Sequence, residues 1–284
     1  MDIAFLEALT LTFLACVFFA GLLRLAQRFV KRGKARLDDD DNPAHRLYAA
    51  LQTVGVLWIA ASAAHQCATG EDLVHDLLWV FAFGGVGFVL YVLAGQLGVR
   101  LLLGRRLAEE IDDDRNVAAA LAAGAHHIAV AILVAESAAG TDLFGLTLAT
   151  GFFFLGLVCH QIVIALFRAL TTYDDAEQVA GENLAAAMSY AGTSIAAAIV
   201  IARALDGDFE GMRDSVLGFV QVACLALLLL PVRQLLVGGL LFGKFPKLRG
   251  GVLDDAIGLR HDTAVAALDG AVAIAVALTI ARLA

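Results

Sequence analysis

Long apolar runs alternate with short polar stretches along the whole chain. Eight runs stand out, over residues 3–30, 45–66, 73–103, 116–138, 142–170, 183–205, 214–242 and 261–283. Each is long enough for a helix to cross the hydrocarbon core of a bilayer. Lipid offers the backbone no hydrogen-bond partner, so a spanning run must satisfy its own amides, and each is predicted to be an α-helix. The stretches between them are too short to hold a soluble catalytic domain. The expected fold is an all-α polytopic membrane protein with eight transmembrane helices. The first run is too long for a signal-peptide core and lacks a basic lead and a small-residue cleavage site, so it is expected to remain as a helix.

The runs fall into pairs. Four acidic stretches, LDDDDNPAH, AEEIDDDRN, YDDAEQVAGEN and LDDAIGLRH, each lead into a run rich in small residues. They end on His45, Asn116, Asn183 and His261, which by subtraction lie 71, 67 and 78 residues apart. The pattern predicts four parallel helical-hairpin repeats, over 1–70, 71–140, 141–208 and 209–284, within one membrane domain. All four hairpins share one orientation, unlike the inverted repeats of many transporters. The odd helices are bulky, as in GFFFLGLVCHQIVIALF. The even ones are small; residues 117–137 hold nine alanines. Small residues let helix backbones approach where apolar burial gives no drive, so the even helices are expected at the centre and the odd ones nearer lipid. Pro231 is expected to kink the seventh helix.

Basic residues settle the expected sidedness. Arg28, Lys31, Arg32, Lys34, Arg36 and Arg46 cluster after the first helix, Arg105, Arg106 and Arg115 after the third, and Lys244, Lys247, Arg249 and Arg260 after the seventh. The other side has only Arg203, Arg213 and Arg282. Basic loops stay inside, so the acidic–basic loops are expected to be cytoplasmic and both termini outside, in a bacterial inner membrane. The 60% hydrophobic composition and mean hydropathy of +0.81 agree with a polytopic chain. The net charge of -8 is sorted by side and does not point to a partner, and nothing suggests nucleic acid.

Two sets of residues carry candidate chemistry. The first is the repeat mark: His45, Asn116, Asn183 and His261 as helix starts, with Gly124 and Gly192 just beyond. A side-chain oxygen at a helix start caps the first backbone amides, and the preceding carboxylates suit the positive end of the helix dipole. The same carboxylates would also ring one mouth and attract cations. The second set lies within the membrane. Ionisable groups there are costly and usually face a bundle interior or a watery path. His126, His127, His160, Gln161 and Asp269 form the candidate polar interior, together with Gln52, Thr193, Ser194 and Arg233. His126 is ten residues past Asn116, about 15 Å along a helix, near mid-membrane. Asp269 is expected at similar depth. Histidine could carry protons there. Equally, all these groups could bond neighbouring helices and fix their packing. Gly84–Gly95, GGVGFVLYVLAG, reads as close helix packing rather than phosphate binding. Cys16, Cys67, Cys159 and Cys224 read as small helix residues. No catalytic, metal or cofactor motif is present.

The two central repeats, RNVAAALAAGAHHIAVAI and ENLAAAMSYAGTSIAAAI, resemble the DUF350 (UPF0719) family of small bacterial inner-membrane proteins. Asn116 with Gly124 and Asn183 with Gly192 match its pattern of an Asn followed by a small-residue helix with a Gly. The outer copies replace the Asn by His45 and His261 but keep Gly55 and Gly270 nearby. The resemblance implies tandem two-helix units and a setting among envelope-stress and peptide- or polyamine-ligating functions. It implies no activity. Two functions remain open: a channel- or transporter-like protein for cations or protons, with four hairpins around a polar interior, and a non-conducting scaffold or envelope-stress accessory subunit. An enzyme is not expected. Partners would be the bilayer, a second copy in a homodimer, and envelope proteins.

Overall fold

A computed structural model describes residues 3–30, 41–70, 72–103, 109–206 and 209–284. Eight helices are long and apolar enough to span a membrane. They are α1 (Ile3–Val30), α2 (Pro43–Cys67), α3 (Leu73–Leu103), α4 (Val117–Ser137), α5 (Leu143–Leu170), α6 (Leu184–Leu205), α7 (Met212–Leu241) and α8 (Thr263–Leu283). No strand occurs among the described residues.

Seven of the eight are continuous. In α7 the winding changes: α-helical to Ala223, 3₁₀ over Cys224–Leu228, α-helical over Leu229–Arg233 and π-type over Gln234–Leu241. Pro231 has no amide to donate and its ring crowds the turn before it, so the regular ladder cannot run through.

The most extensive contacts run α2 to α4, α4 to α6 and α6 to α8. The even helices therefore form a row in chain order, and the odd helices flank it. Burial follows position in the row. In α4 and α6, 78% of the spanning window is buried, against 22% in α1 and 28% in α7. The expected central place thus holds for the middle of the row. At its end, α8 buries one stripe only: Ala266, Asp269, Gly270, Ala273 and Ala277. The expectation that four hairpins surround a common interior is corrected. The ends of the row, α2 and α8, are not a packed pair among the described residues, and the row stays open. The reason is local. An inner even helix carries small residues around most of its surface, so it accepts a neighbour on each side and the packing extends in a line.

Glycines set the tightest crossings. A Cβ on Gly192 would run into the Gly270 backbone, and one on Gly124 would run into Leu51. Leu51 and Gly192 are 141 residues apart, and Gly124 and Gly270 are 146 apart, by subtraction. The helix caps Asn42 and Asn183 are also 141 apart, and Asn116 and Asp262 are 146 apart. One crossing is therefore used twice, once in each half of the chain.

Candidate functional site

The helix starts come first, because they set the register of everything deeper. Asn116 caps α4: its Oδ1 accepts from Ala119 N at 2.9 Å. Asn183 caps α6, accepting from Ala185 N at 3.0 Å and Ala186 N at 3.2 Å. The other two caps lie elsewhere than expected. Asn42, not His45, caps α2, accepting from His45 N at 3.0 Å. Pro43 follows it at the first helical position, where no amide is needed. His45 lies one turn in, with Nδ1 3.1 Å from Asp112 Oδ1 in the next repeat. Asp262, not His261, caps α8. His261 has φ 52°, matching Arg115 (58°) and Glu182 (62°), each immediately before a cap. A left-handed residue there turns the chain from the loop into the helix.

Each cap asparagine has a second role. Asn42 Nδ2 donates to Ile111 O at 2.9 Å, Asn116 Nδ2 to Val179 O at 2.8 Å, and Asn183 Nδ2 to Ile257 O at 2.9 Å. Each acceptor belongs to a short helical segment that leads into the next even helix, and each has its side chain buried. The asparagines therefore chain the repeats together in order. The fourth cap, Asp262, is an aspartate, a residue with no amide to donate.

Deeper in the row, polar groups gather at one level. His126 and His127 are adjacent on α4 and point to different neighbours. His127 is fully buried. Its Nδ1 donates to Ala123 O at 3.0 Å, and its Nε2 accepts from Gln52 Nε2 at 3.3 Å. Gln27 Nε2 donates in turn to Gln52 Oε1 at 3.0 Å. The rings of Tyr48 and Tyr91 meet His127 edge-on, at 5.3 and 5.4 Å. His126 faces α5, its ring centre 5.6 Å from that of His160. His160 Nε2 lies 3.1 Å from Ser194 O and 3.2 Å from Ser194 Oγ on α6. Both ring nitrogens of His126, Nδ1 of His160 and Nε2 of Gln161 are buried without a hydrogen bond among the described residues. Glycines make the slot for this layer. A Cβ at Gly98 would strike the His126 ring, and one at Gly95 would lie 2.5 Å from His127 Cδ2. The close packing expected of Gly84–Gly95 is present at Gly84, Gly87 and Gly95.

Asp269 is not part of this layer. It lies seven residues past its cap, His126 ten past Asn116, so Asp269 is about 4.5 Å shallower along its helix. The expectation that the two meet is corrected, since α6 stands between α4 and α8. Asp269 is wholly buried against Arg233 of α7, which is 4% exposed, and Arg233 Nε donates to its Oδ1. Ser189 Oγ donates to Asp269 Oδ2 at 2.8 Å, and Arg233 Nη2 donates to Ser189 Oγ at 3.2 Å. The guanidinium also lies over the Phe167 ring, 4.8 Å from its centre. A buried charge pair holds only when both partners are hydrogen-bonded, and here α6, α7 and α8 all contribute.

Below this pair, the connection after α5 folds against the connection after α7. Asp254 Oδ2 accepts from Thr172 N at 2.7 Å, Thr172 Oγ1 at 2.9 Å and Gly250 N at 3.1 Å. Tyr173 packs on Gly258, where a Cβ would lie 2.5 Å from its ring. Burial pushes the Tyr173 hydroxyl above its usual range. Asp175 is 2% exposed, with Arg168 Nε at 4.0 Å and Thr171 Oγ1 at 3.3 Å. Burial pushes its carboxyl up to about 6, and Arg168 and the Thr171 hydroxyl offset this only in part. A cleft opens here between Thr171, Arg233, Gln234 and Asp254. Sequence reading missed Ser189, whose partner Asp269 is 80 residues away. Tyr173, Asp175 and Asp254 stand in the acidic stretches YDDAEQVAGEN and LDDAIGLRH, but nothing local pairs Asp254 with Thr172, 82 residues away. Asn42 and Asp262 did leave a signal, the Asn–Pro and Asp–Thr pairs at the helix starts.

A family model described as Domain of Unknown Function (DUF350) matches residues 2–138 and again residues 142–283. Each match takes in four spanning helices, and the break between them falls between α4 and α5. No curated protein and no solved structure matches the chain.

Proposed function

The chain belongs to the DUF350 family, and on that footing we propose that it is a non-conducting membrane scaffold. Its working part is the row of parallel even helices, held in register by the asparagine chain at one face. One observation carries this reading. The buried polar side chains of α4 and α6 stop at mid-depth, and beyond them both helices are packed solid. Ala129, Val130, Leu133 and Val134 fill α4 beyond the histidines; Ala196, Ala197, Val200 and Ile201 fill α6 beyond Ser194. A path for ions needs polar groups or water along the membrane normal, whereas these groups spread sideways across the row. In this reading His127, His160 and Arg233–Asp269 are interhelical bonds. The acidic loops face the cytoplasm, both termini face outward in a bacterial inner membrane, and envelope proteins or a second copy are the partners. No catalytic role is proposed.

A channel- or transporter-like role for cations or protons is the second reading. It is favoured by the three ring nitrogens of His126 and His160 that have no partner among the described residues, since imidazole can take up a proton near neutral pH. Flux into proteoliposomes separates the two. The scaffold reading expects no cation or proton flux above protein-free vesicles at any pH between 5 and 8. Flux that falls in His126→Ala or Asp269→Asn, with both variants still folded, would overturn it.

A further inference from the structure

The outer face of α8 is unlike the faces that the odd helices turn outward. Those expose bulky residues, such as Phe13, Val17 and Phe18 on α1 and Leu93, Leu97 and Leu101 on α3. On α8 the exposed stripe is Ala264, Leu268, Ala271, Ala275 and Thr279, with Ala267 beside it. Thr279 Oγ1 donates to Ala275 O of its own helix at 2.9 Å, so the stripe needs no polar partner. Ala267, Ala271, Ala275 and Thr279 fall four residues apart, a ridge of small side chains that lets a second helix approach closely.

The duplication within the chain shows what this face does in the other half. α4 and α8 are counterparts: Asn116 and Asp262 are 146 residues apart, as are Gly124 and Gly270. The same offset carries Ala264, Leu268, Ala271, Ala275 and Thr279 onto Ala118, Ala122, Ala125, Ala129 and Leu133. Those five are at most 2% exposed. At 3.6 residues per turn they lie on the side of α4 away from Gly124 and its crossing with α2, the side on which α6 packs. One face is therefore built twice. In the first half it is an interface with a parallel small-residue helix, and in the second half it is exposed. The opposite side of the row differs, because the outer face of α2 carries Val54, Leu57 and Trp58, all exposed. That face is bulky, like the outer faces of the odd helices. The row thus has one side shaped for lipid and one shaped for a helix.

We propose that two copies of the chain pair through the outer face of α8, with Ala271 and Ala275 of one copy against the same residues of the other. Two copies in one bilayer share an orientation, so a two-fold axis along the membrane normal sets their α8 helices parallel and closes the assembly at two. The occupant is a second copy because the face continues an interface that the chain already makes with itself between α4 and α6. Pairing there joins two rows of four even helices into one row of eight. The inference rests on the second copy that the scaffold reading takes as a partner. Flux decides conduction and the α8 contact decides pairing, so either can fail alone.

The test uses the full-length protein with Cys16, Cys67, Cys159 and Cys224 replaced by alanine, and reads oxidative cross-linking in native membranes. Ala271→Cys is expected to give a disulfide-linked dimer, because the two-fold contact brings its Cβ atoms within the roughly 3.5–4.5 Å that a disulfide spans. Val54→Cys, on the outer face of α2, is expected to stay monomeric. Adding Ala275→Trp to Ala271→Cys should abolish the cross-link, and adding Val54→Trp should leave it unchanged. Both tryptophans replace exposed residues, so the helical content is expected to be kept. The wild-type chain, extracted with its surrounding lipid in polymer nanodiscs, should hold two copies by mass, which checks the result without any substitution. A single copy in nanodiscs, no cross-link at Ala271→Cys, an equal one at Val54→Cys, or a cross-link that survives Ala275→Trp would each overturn the proposal. Loss of the cross-link in both tryptophan variants would replace it by a head-to-tail contact of α8 with α2.

Discussion

Asn116 and Val179 join two repeats through a single amide group. The Asn116 oxygen caps its own helix at Ala119 N, and its nitrogen reaches the Val179 carbonyl at 2.8 Å, 63 residues along the chain. Helix starts and repeat spacing are thereby set by the same side chain.

Asn116→Asp is predicted to keep the cap and lose the link. It would leave the buried Val179 carbonyl short of its donor and bring a second carboxylate to Glu110, whose Oε2 now accepts from Asn116 Nδ2 at 2.9 Å. The expected loss is about 1–3 kcal/mol. Asp262→Asn, at the even-helix cap that bonds only its own helix, should change stability by less than about 0.5 kcal/mol. Unfolding by SDS titration from mixed micelles measures both, and equal losses at the two sites would contradict the linking role.

Arg233→Met alone would strand the Asp269 carboxylate in the interior, and the expected loss is about 3–5 kcal/mol. Arg233→Met with Asp269→Leu replaces the pair by apolar groups and should recover most of it. The same titration gives the double-mutant cycle. A double variant no better than the sum of the singles would show that the two residues are not coupled.

Gly98→Ala would drive a methyl group into the His126 ring. The helices must separate or the imidazole must move, at a cost of about 1–3 kcal/mol. Gly85→Ala and Gly151→Ala meet nothing within 4 Å and lie in the spanning helices α3 and α5. There alanine should be neutral or stabilising by up to about 1 kcal/mol. Melting of the three variants in one detergent tests the contrast.

Asp175 gives a pH dependence with a defined sign. Its carboxyl titrates near 6 in the folded protein against 3.8 when unperturbed, because burial disfavours the charge. The folded state then holds a proton that the unfolded state has already lost, so this group's contribution is complete below about 3.8 and is lost as pH rises to about 6. Stability should fall across that window by roughly 2–3 kcal/mol. Asp175→Asn should remove that part of the slope, and unfolding followed between pH 4 and 7 compares the two proteins.

Much of this site is legible in the residue pattern alone. Asn116 and Asn183 stand out because an amide residue directly before an alanine-rich run has few uses other than capping. His45 and His261 mislead for an identifiable reason. Taking the last polar residue before an apolar run overlooks the dihedral angles on either side. Pro43 can open a helix only if the residue before it is the cap, and His261 has left-handed φ, which none of the four even-helix caps adopts. His126, His127 and Asp269 are recognisable as buried polar groups from their surroundings in sequence. Their partners Gln52, His160, Ser194 and Arg233 can be named as polar but not assigned to one another.

The sequence by itself determined the membrane class, the eight helices and their pairing into parallel hairpins. Those follow from local facts: run length against bilayer thickness, and backbone amides that lipid cannot satisfy. Only the tertiary structure decided that the even helices form an open row, that Asp269 belongs to Arg233 and not to His126, and that each cap asparagine reaches into the next repeat. These depend on which small face of one helix fits which face of another. That is decided by glycine crossings such as Gly192 on Gly270, where two chain segments 78 residues apart must both lack a side chain.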